Sequence, residues 1–384
     1  MRIDPFVHSL PSLNPFSWEA ALSRRATIEM EALPSGAASR EKVLEILESL
    51  ERQLVRAREH ESFHPYSMRS VVDKTAYQCI ATFPHKADVQ TLRVSVDGVL
   101  AVGLGNGTIV VRHRGRYDDP IVLGGHKRPV VSLDFLPDGR FISGSLDGAV
   151  RVWTPDGQGV GYTSSQVRWC SFPLRALQAL PGERVVLACE DGVVRLGGLH
   201  GIHYDILRPY DDARSPRSAV CSVQSMPDGR IIAGRDSGGI SIWALGARGW
   251  SATGFRASGV SLITCLHALS PERVLVGGSD QGCISHFRVG EAWRSDVIRP
   301  VGAGWVTCVQ VLPNDRVVFG TLRADIWIAS LKERELSQLV GHAGKIMALQ
   351  VTPEGVIFSC ATDNTVRMWD GDRAVFSPSV GGAP

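Results

Sequence analysis

Short apolar runs recur along most of the chain, separated by clusters of Gly, Asp, Pro and Ser. The stretch Ile121–Gly157, IVLGGHKRPVVSLDFLPDGRFISGSLDGAVRVWTPDG, shows the unit most clearly. Its runs are too short for helices and are rich in β-branched and aromatic residues, so they predict strands. Pro137-Asp138-Gly139 and Asp147-Gly148 supply turn residues that tolerate positive φ.

One such small sheet cannot bury its own faces, so the pattern should repeat. It does. Thr91, Ser132, Ala176, Ser222, Cys265, Cys308 and Ala348 are all small, and lie 41, 44, 46, 43, 43 and 40 residues apart. Two positions before them stand Val89, Val130, Leu174, Val220, Ile263, Val306 and Ile346. One position after stand Leu92, Leu133, Leu177, Val223, Leu266, Val309 and Leu349. Alternation along a strand puts apolar or small groups on both faces. Each such strand is therefore expected to be buried on both sides, with the small residue where strands converge near a central axis. Self-similarity at this period points to a repeat architecture.

The Gly-His start, the turn Asp and the Trp near the end of the Ile121–Gly157 unit resemble the WD-repeat family, a match that is full only there. That resemblance implies an all-β fold: a seven-bladed WD-repeat β-propeller over residues 76–384, preceded by a short α-helical segment within residues 1–75. It also implies a hydrogen-bonded network of His, Ser or Thr, Asp and Trp in each blade. The second unit supplies His126, Ser145, Asp147 and Trp153. The last supplies His342, Asp363 and Trp369, with Ala361 where the hydroxyl is expected. At the Trp position the other units show Arg112, Gly197, Trp243, Phe287 and Ala329. The units are read as 84–118, 119–159, 160–201, 202–247, 248–290, 291–332 and 333–373. The outer strand that closes the ring is expected from 77–83, with Ala374-Val375-Phe376 as a competitor.

Ahead of the repeats, Pro5, Pro11 and Pro15 among apolar residues read as an extended arm that docks in a groove. Ser17 can cap a helix to about Leu33. Ser39 starts a second helix to about Glu61, whose Val43, Leu47, Leu50, Leu54 and Ala57 form one stripe. This pair either packs on the propeller or binds another chain.

His60-Glu61-Ser62-Phe63-His64 reads H-E-x-x-H, the spacing that sets two imidazoles on one helix face for zinc with Glu61 as base. Pro65 ends the helix there, Arg58 brings a cation near, and no third ligand follows at a family spacing. A zinc-dependent hydrolase with the propeller as substrate receptor is thus the weaker alternative. His200 and His203 lack carboxylate or thiol company. There is no Gly-x-Ser-x-Gly elbow or phosphate loop, and no cofactor is implied. His85, His126 and His342 fit structural roles.

That leaves the loop tips. By register, Lys127, Arg128, Arg168, Trp169, Glu190, Arg217, Arg235, Trp305, Arg323 and Lys345 should surround one mouth of the ring. They are mostly cationic with two tryptophans, residue types favoured in binding hot spots. The expected role is a non-catalytic scaffold or adaptor for a protein or peptide partner, an acidic or phosphorylated segment fitting best. Nucleic-acid binding at this basic mouth is a further alternative. The formal net charge of +2 over 384 residues gives no general pull toward nucleic acid or membrane. Eight cysteines without a Cys-x-x-Cys pair read as small buried hydrophobes in a reducing compartment. With no signal-like start and no long apolar stretch, a cytoplasmic location is expected.

Overall fold

The computed structural model describes residues 72–73, 77–157, 161–167, 170–200, 203–209, 218–256, 262–279, 284–288, 295–298, 304–313, 316–330 and 336–370. These form strands joined by turns. On the N-terminal side are β1 (Val72–Asp73) and β2 (Gln78–Pro84). Then come β3 (Val89–Val94), β4 (Leu100–Leu104), β5 (Ile109–His113) and β6 (Arg116–Leu123). Next are β7 (Val130–Phe135), β8 (Phe141–Ser145), β9 (Val150–Pro155) and β10 (Tyr162–Val167). The third set is β11 (Leu174–Leu180), β12 (Arg184–Cys189), β13 (Val194–Gly198) and β14 (Tyr204–Leu207). The fourth is β15 (Val220–Ser225), β16 (Ile231–Arg235), β17 (Gly239–Gly246) and β18 (Gly249–Arg256). The fifth is β19 (Ile263–Ser270), β20 (Arg273–Gly278), β21 (Ile284–Arg288) and β22 (Ser295–Ile298). Then follow β23 (Val306–Val311), β24 (Arg316–Thr321), β25 (Ile326–Ser330) and β26 (Leu336–Leu339). The last are β27 (Ile346–Val351), β28 (Ile357–Ala361) and β29 (Thr365–Asp370).

The fold-class expectation is corrected on two counts. Six sheets, not seven, are plain four-stranded blades; the sheet of β23–β26 is five-stranded, because β1 adds to β26 in parallel. No helix occurs among the described residues. The helices expected over 17–33 and 39–61, the apolar arm and His60-Glu61-x-x-His64 lie outside them, as does 374–376.

The unit boundaries also shift by one strand. The strand heading each sequence unit pairs with the sheet before it: β6 with β5, and β10 with β9. Each sequence unit therefore straddles two sheets. The last sheet is completed from the other end of the chain, by β2 lying antiparallel on β29. This pairing caps an edge that would otherwise present open backbone groups.

The first strands of successive sheets lie against one another in a closed cycle: β3 on β7, β7 on β11, β11 on β15, β15 on β19, β19 on β23, β23 on β27, and β27 on β3. Side chains stitch this inner ring. Asp134, Gln178 and Gln224 accept the backbone N–H of Ala179, Ser225 and Ala268 on the next inner strand, at 2.8, 2.6 and 2.8 Å. Arg93 closes the cycle by donating to Leu133 O at 3.1 Å and Gln350 Oε1 at 2.9 Å. Among the described residues neighbouring sheets share no ladder; these bonds, others such as those between Ser132 Oγ and Leu177, and apolar packing join them.

Contrary to the sequence reading, the most buried strand is the second of each sheet. β4, β8, β16 and β28 are buried at every residue, while β3 and β7 alternate buried with half-buried. The inner strand faces the axis on one side, and only its other face meets the core. The small residues have a specific cause. Each inner strand has a bulge between the aliphatic residue and the small one, as between Val89 and Thr91. Thr91 then pairs with Gly103, and Cys265 with Gly277. A Cβ on Gly103 would stand 2.8 Å from Val130 Cγ1 of the neighbouring sheet, and one on Gly277 2.7 Å from Val306 Cγ1. The lack of side chains here lets adjacent sheets approach. The Asp-Gly turns form as expected, with Gly139 at φ 87° and Gly148 at φ 79°.

Candidate functional site

Two sheets carry the same buried network. Trp153 donates its indole N–H to Ser143 Oγ at 2.8 Å, and Ser143 Oγ lies 2.7 Å from His126 Nε2. His126 Nδ1 is 3.2 Å from Asp147 Oδ2. In the last sheet, Trp369 donates to Ser359 Oγ at 2.8 Å, Ser359 Oγ lies 2.7 Å from His342 Nε2, and His342 Nδ1 lies 2.8 Å from Asp363 Oδ2. The carboxylate accepts from Nδ1–H, and in the neutral ring Nε2 then accepts the serine O–H. Burial pushes the pKa of His126 and His342 down, and Asp147 and Asp363 only partly offset this. Burial alone would raise the Asp147 carboxyl. The backbone N–H groups of Lys127 and Ala149, with His126, outweigh it and hold the group below the usual carboxylate range.

The expected hydroxyl is therefore corrected by two residues. Ser145 donates instead to Arg128 O at 3.0 Å and accepts the Asp147 N–H at 3.1 Å. Ser143 and Ser359 sit two residues closer along the ladder to the Trp, opposite Leu133 and Leu349. Ala361 consequently marks no loss, and the last network is complete.

The register places the other residues read at the Trp position on equivalent ladder sites. Arg112 faces Leu100 and Trp243 faces Ile231, as Trp153 faces Phe141. Arg112 fills the indole's space by lying 5.2 Å from the Phe83 ring centroid and donating to Tyr117 O. Among the described residues, no three His, Cys, Asp or Glu side chains cluster as metal ligands.

The mouth is defined by a repeated backbone bond. The residue after each second strand donates to the residue before the inner strand: Gly105 to Asp88, Leu146 to Pro129, Glu190 to Pro173, Asp236 to Ala219, Ser279 to Leu262, Leu322 to Trp305, and Thr362 to Lys345. These rungs lie at the same end of every sheet. Lys127, Arg128, Glu190, Trp305, Arg323 and Lys345 fall on or beside them. Trp305 is 47% exposed and Leu322 37%, and Lys127, Arg128, Arg323 and Lys345 are exposed. Glu190 pairs with Arg175 at 2.5 Å. Arg235 departs from the expectation of a free rim cation. It is 5% exposed, because Gly239 has no side chain and the guanidinium lies flat against it. Arg168, Trp169 and Arg217 lie outside the described residues. The polar ring at Arg93, Asp134, Gln178, Gln224, His267, Gln310 and Gln350 was missed by the sequence reading. Its signal is a polar residue two positions after each small anchor.

Residues 120–154 and 333–370 match the family described as "WD domain, G-beta repeat". These two segments contain the two complete networks. The chain is 38% identical over 86 residues to "Restriction of telomere capping protein 1" of Clavispora lusitaniae, a match covering 22% of this chain and 7% of that protein. The chain thus spans a small fraction of that relative's length. Among solved structures, the WD40 β-propeller domain of Doa1 aligns with a TM-score of 0.65 at 16% identity, covering 78% of this chain and 98% of that one. The β-propeller domain of Cps50 (Swd1) from "Myceliophteria_thermophila" aligns with a TM-score of 0.65 at 17% identity, covering 76% and 99%. At these identities the likeness is one of fold. The chain carries WD repeats on a β-propeller.

Proposed function

We propose that this chain is a non-catalytic interaction scaffold that binds a protein segment at the mouth defined by the rungs. The observation that supports it is an exposed apolar pair beside cations. Trp305 and Leu322 share one rung, Arg323 follows Leu322, and Lys345 stands on the rung of the adjacent sheet. An exposed Trp in such a setting resembles a hot-spot anchor. An acidic peptide carrying one large apolar side chain suits this arc, the anchor shielding its charge contacts from water. The buried histidines do not favour catalysis at the networks, since both ring nitrogens are engaged.

The test is binding to an immobilised library of acidic peptides, scored for Trp305→Ala and for Arg323→Ala with Lys345→Ala. The proposal expects selected peptides to lose at least about tenfold in affinity with Trp305→Ala, a typical hot-spot effect. The double variant should weaken binding and flatten its salt dependence. Selected peptides that bind both variants as well as the parent chain would reject this arc.

A further inference from the structure

In the sheet of β11–β14 the network histidine is replaced by sulfur. His126 and His342 each stand four residues before the first residue of an inner strand, Val130 and Ile346, and Cys170 stands four before Leu174. The serine and the tryptophan of the other networks are absent. Leu187 occupies the ladder site of Ser143 and Ser359, and Gly197 that of Trp153 and Trp369. Asp191 keeps its place, but Arg195 takes both carboxylate oxygens, at 3.1 and 2.6 Å. Cys170 Sγ lies instead 3.3 Å from Cys189 Sγ. Cys189 is the last residue of β12, just before the Glu190–Pro173 rung.

The two thiols differ in exposure and surroundings. Cys189 is fully buried, whereas Cys170 is half-buried. Cys170 Sγ also accepts the Phe172 N–H at 3.3 Å, and Arg195 lies over the Phe172 ring at 5.9 Å. The hydrogen bond shared with Cys189 draws the Cys170 thiol down to about 7 against burial, with help from the Phe172 backbone and then Arg195. The same bond, together with burial, pushes Cys189 up. The more accessible sulfur is thus the one a peroxide can reach, and its surroundings favour the thiolate.

We propose that Cys170 and Cys189 are a modification site for hydrogen peroxide, closing to a disulfide that pins the loop before β11 to the mouth end of β12. The Cys170 thiolate attacks one peroxide oxygen. The S–O bond forms, the O–O bond breaks, and the leaving hydroxide takes a proton to become water. The Cys189 sulfur then attacks the sulfenic sulfur of Cys170. The S–S bond forms, the S–O bond breaks, and hydroxide leaves as a second water with the Cys189 proton. Two thiols are oxidised by two electrons, and one peroxide is reduced to two waters. The sulfurs need to approach by only about 1 Å to reach disulfide length. The inference does not depend on what the mouth binds.

The test treats the full chain with one equivalent of hydrogen peroxide at neutral pH, alkylates the remaining thiols and maps the peptides. A linked Cys170–Cys189 peptide should appear roughly tenfold ahead of any change at the exposed Cys79, and dithiothreitol should reverse it. In Cys189→Ser the reaction should stop at a sulfenic acid on Cys170, trapped by dimedone. Should that variant not fold, the map of the parent chain decides alone. Cys170 still fully alkylated after peroxide, or a cross-link through Cys79 forming first, would overturn the proposal.

Discussion

Trp153 donates its indole N–H to the Ser143 hydroxyl at 2.8 Å. That hydroxyl also serves His126, so one small side chain satisfies two buried polar groups. Ser143→Ala should cost about 2–4 kcal/mol, because both partners lose their bond inside the core. Ser145→Ala, which removes bonds to backbone beside the turn, should cost about 1 kcal/mol. Ala361→Ser should bring no gain, since Ser359 already fills the role. Urea unfolding of the three variants checks the order. Ser145→Ala emerging as the costlier serine variant would contradict the network as described.

The close approach of sheets at Gly103 gives a second prediction. A Cβ there would meet Thr91 Cγ2 at 2.7 Å and Val130 Cγ1 at 2.8 Å. Gly103→Ala should destabilise by roughly 1–3 kcal/mol through overpacking, although alanine suits a strand no worse than glycine. Restoring room with Val130→Ala in the same chain should recover part of the loss. A neutral single variant, by thermal unfolding, would show that the sheets have slack at this point.

Buried His267 and half-buried His85 set an acid limit. Burial, helped by Arg93, lowers His267 to about 4, and burial with Arg112 lowers His85 to about 4. The unfolded chain takes up these protons near pH 6.5, before the folded chain does. Stability from these groups is therefore complete above about pH 6.5 and falls as pH drops toward 4. For His267 alone the loss by pH 5 is about 2 kcal/mol. Asp147 and Asp363 contribute in the same direction only below the ordinary carboxylate range. His267→Gln should flatten part of this slope and keep the fold, because Gln178, Gln224 and Gln350 stand at the matching sites. Urea midpoints at about pH 7.5 and 5 test it; an unchanged slope in the variant would be the contrary result.

Much of the ring was legible because its spacing constraint is strong. The seven small anchors each follow a bulge, and the Trp-equivalent residues fall on matching ladder sites even where Gly197 or Ala329 has replaced the ring. Periodicity survives such replacement, since strand length and turn position set it. Side-chain partners did not follow as reliably. Ser143 and Ser145 share a strand face at alternate positions, and only the register shows which one meets Trp153. The assignment of β6 and β10 to the preceding sheets was hidden too, because a sequence unit has no mark for where hydrogen bonding changes partner. Arg235 reads as a surface cation, and the bare backbone of Gly239 gives its guanidinium room to be buried. Cys170 looked like one more small hydrophobe until its place in the network sequence became visible.

The account rests on a ring closed by β2 against β29, and amide hydrogen exchange tests that pairing most directly. Residues Gln78–Pro84 should be protected to the same degree as Thr365–Asp370, both opening together as one ladder. Exchange of Gln78–Pro84 at the rate of free chain, with Thr365–Asp370 still protected, would contradict it.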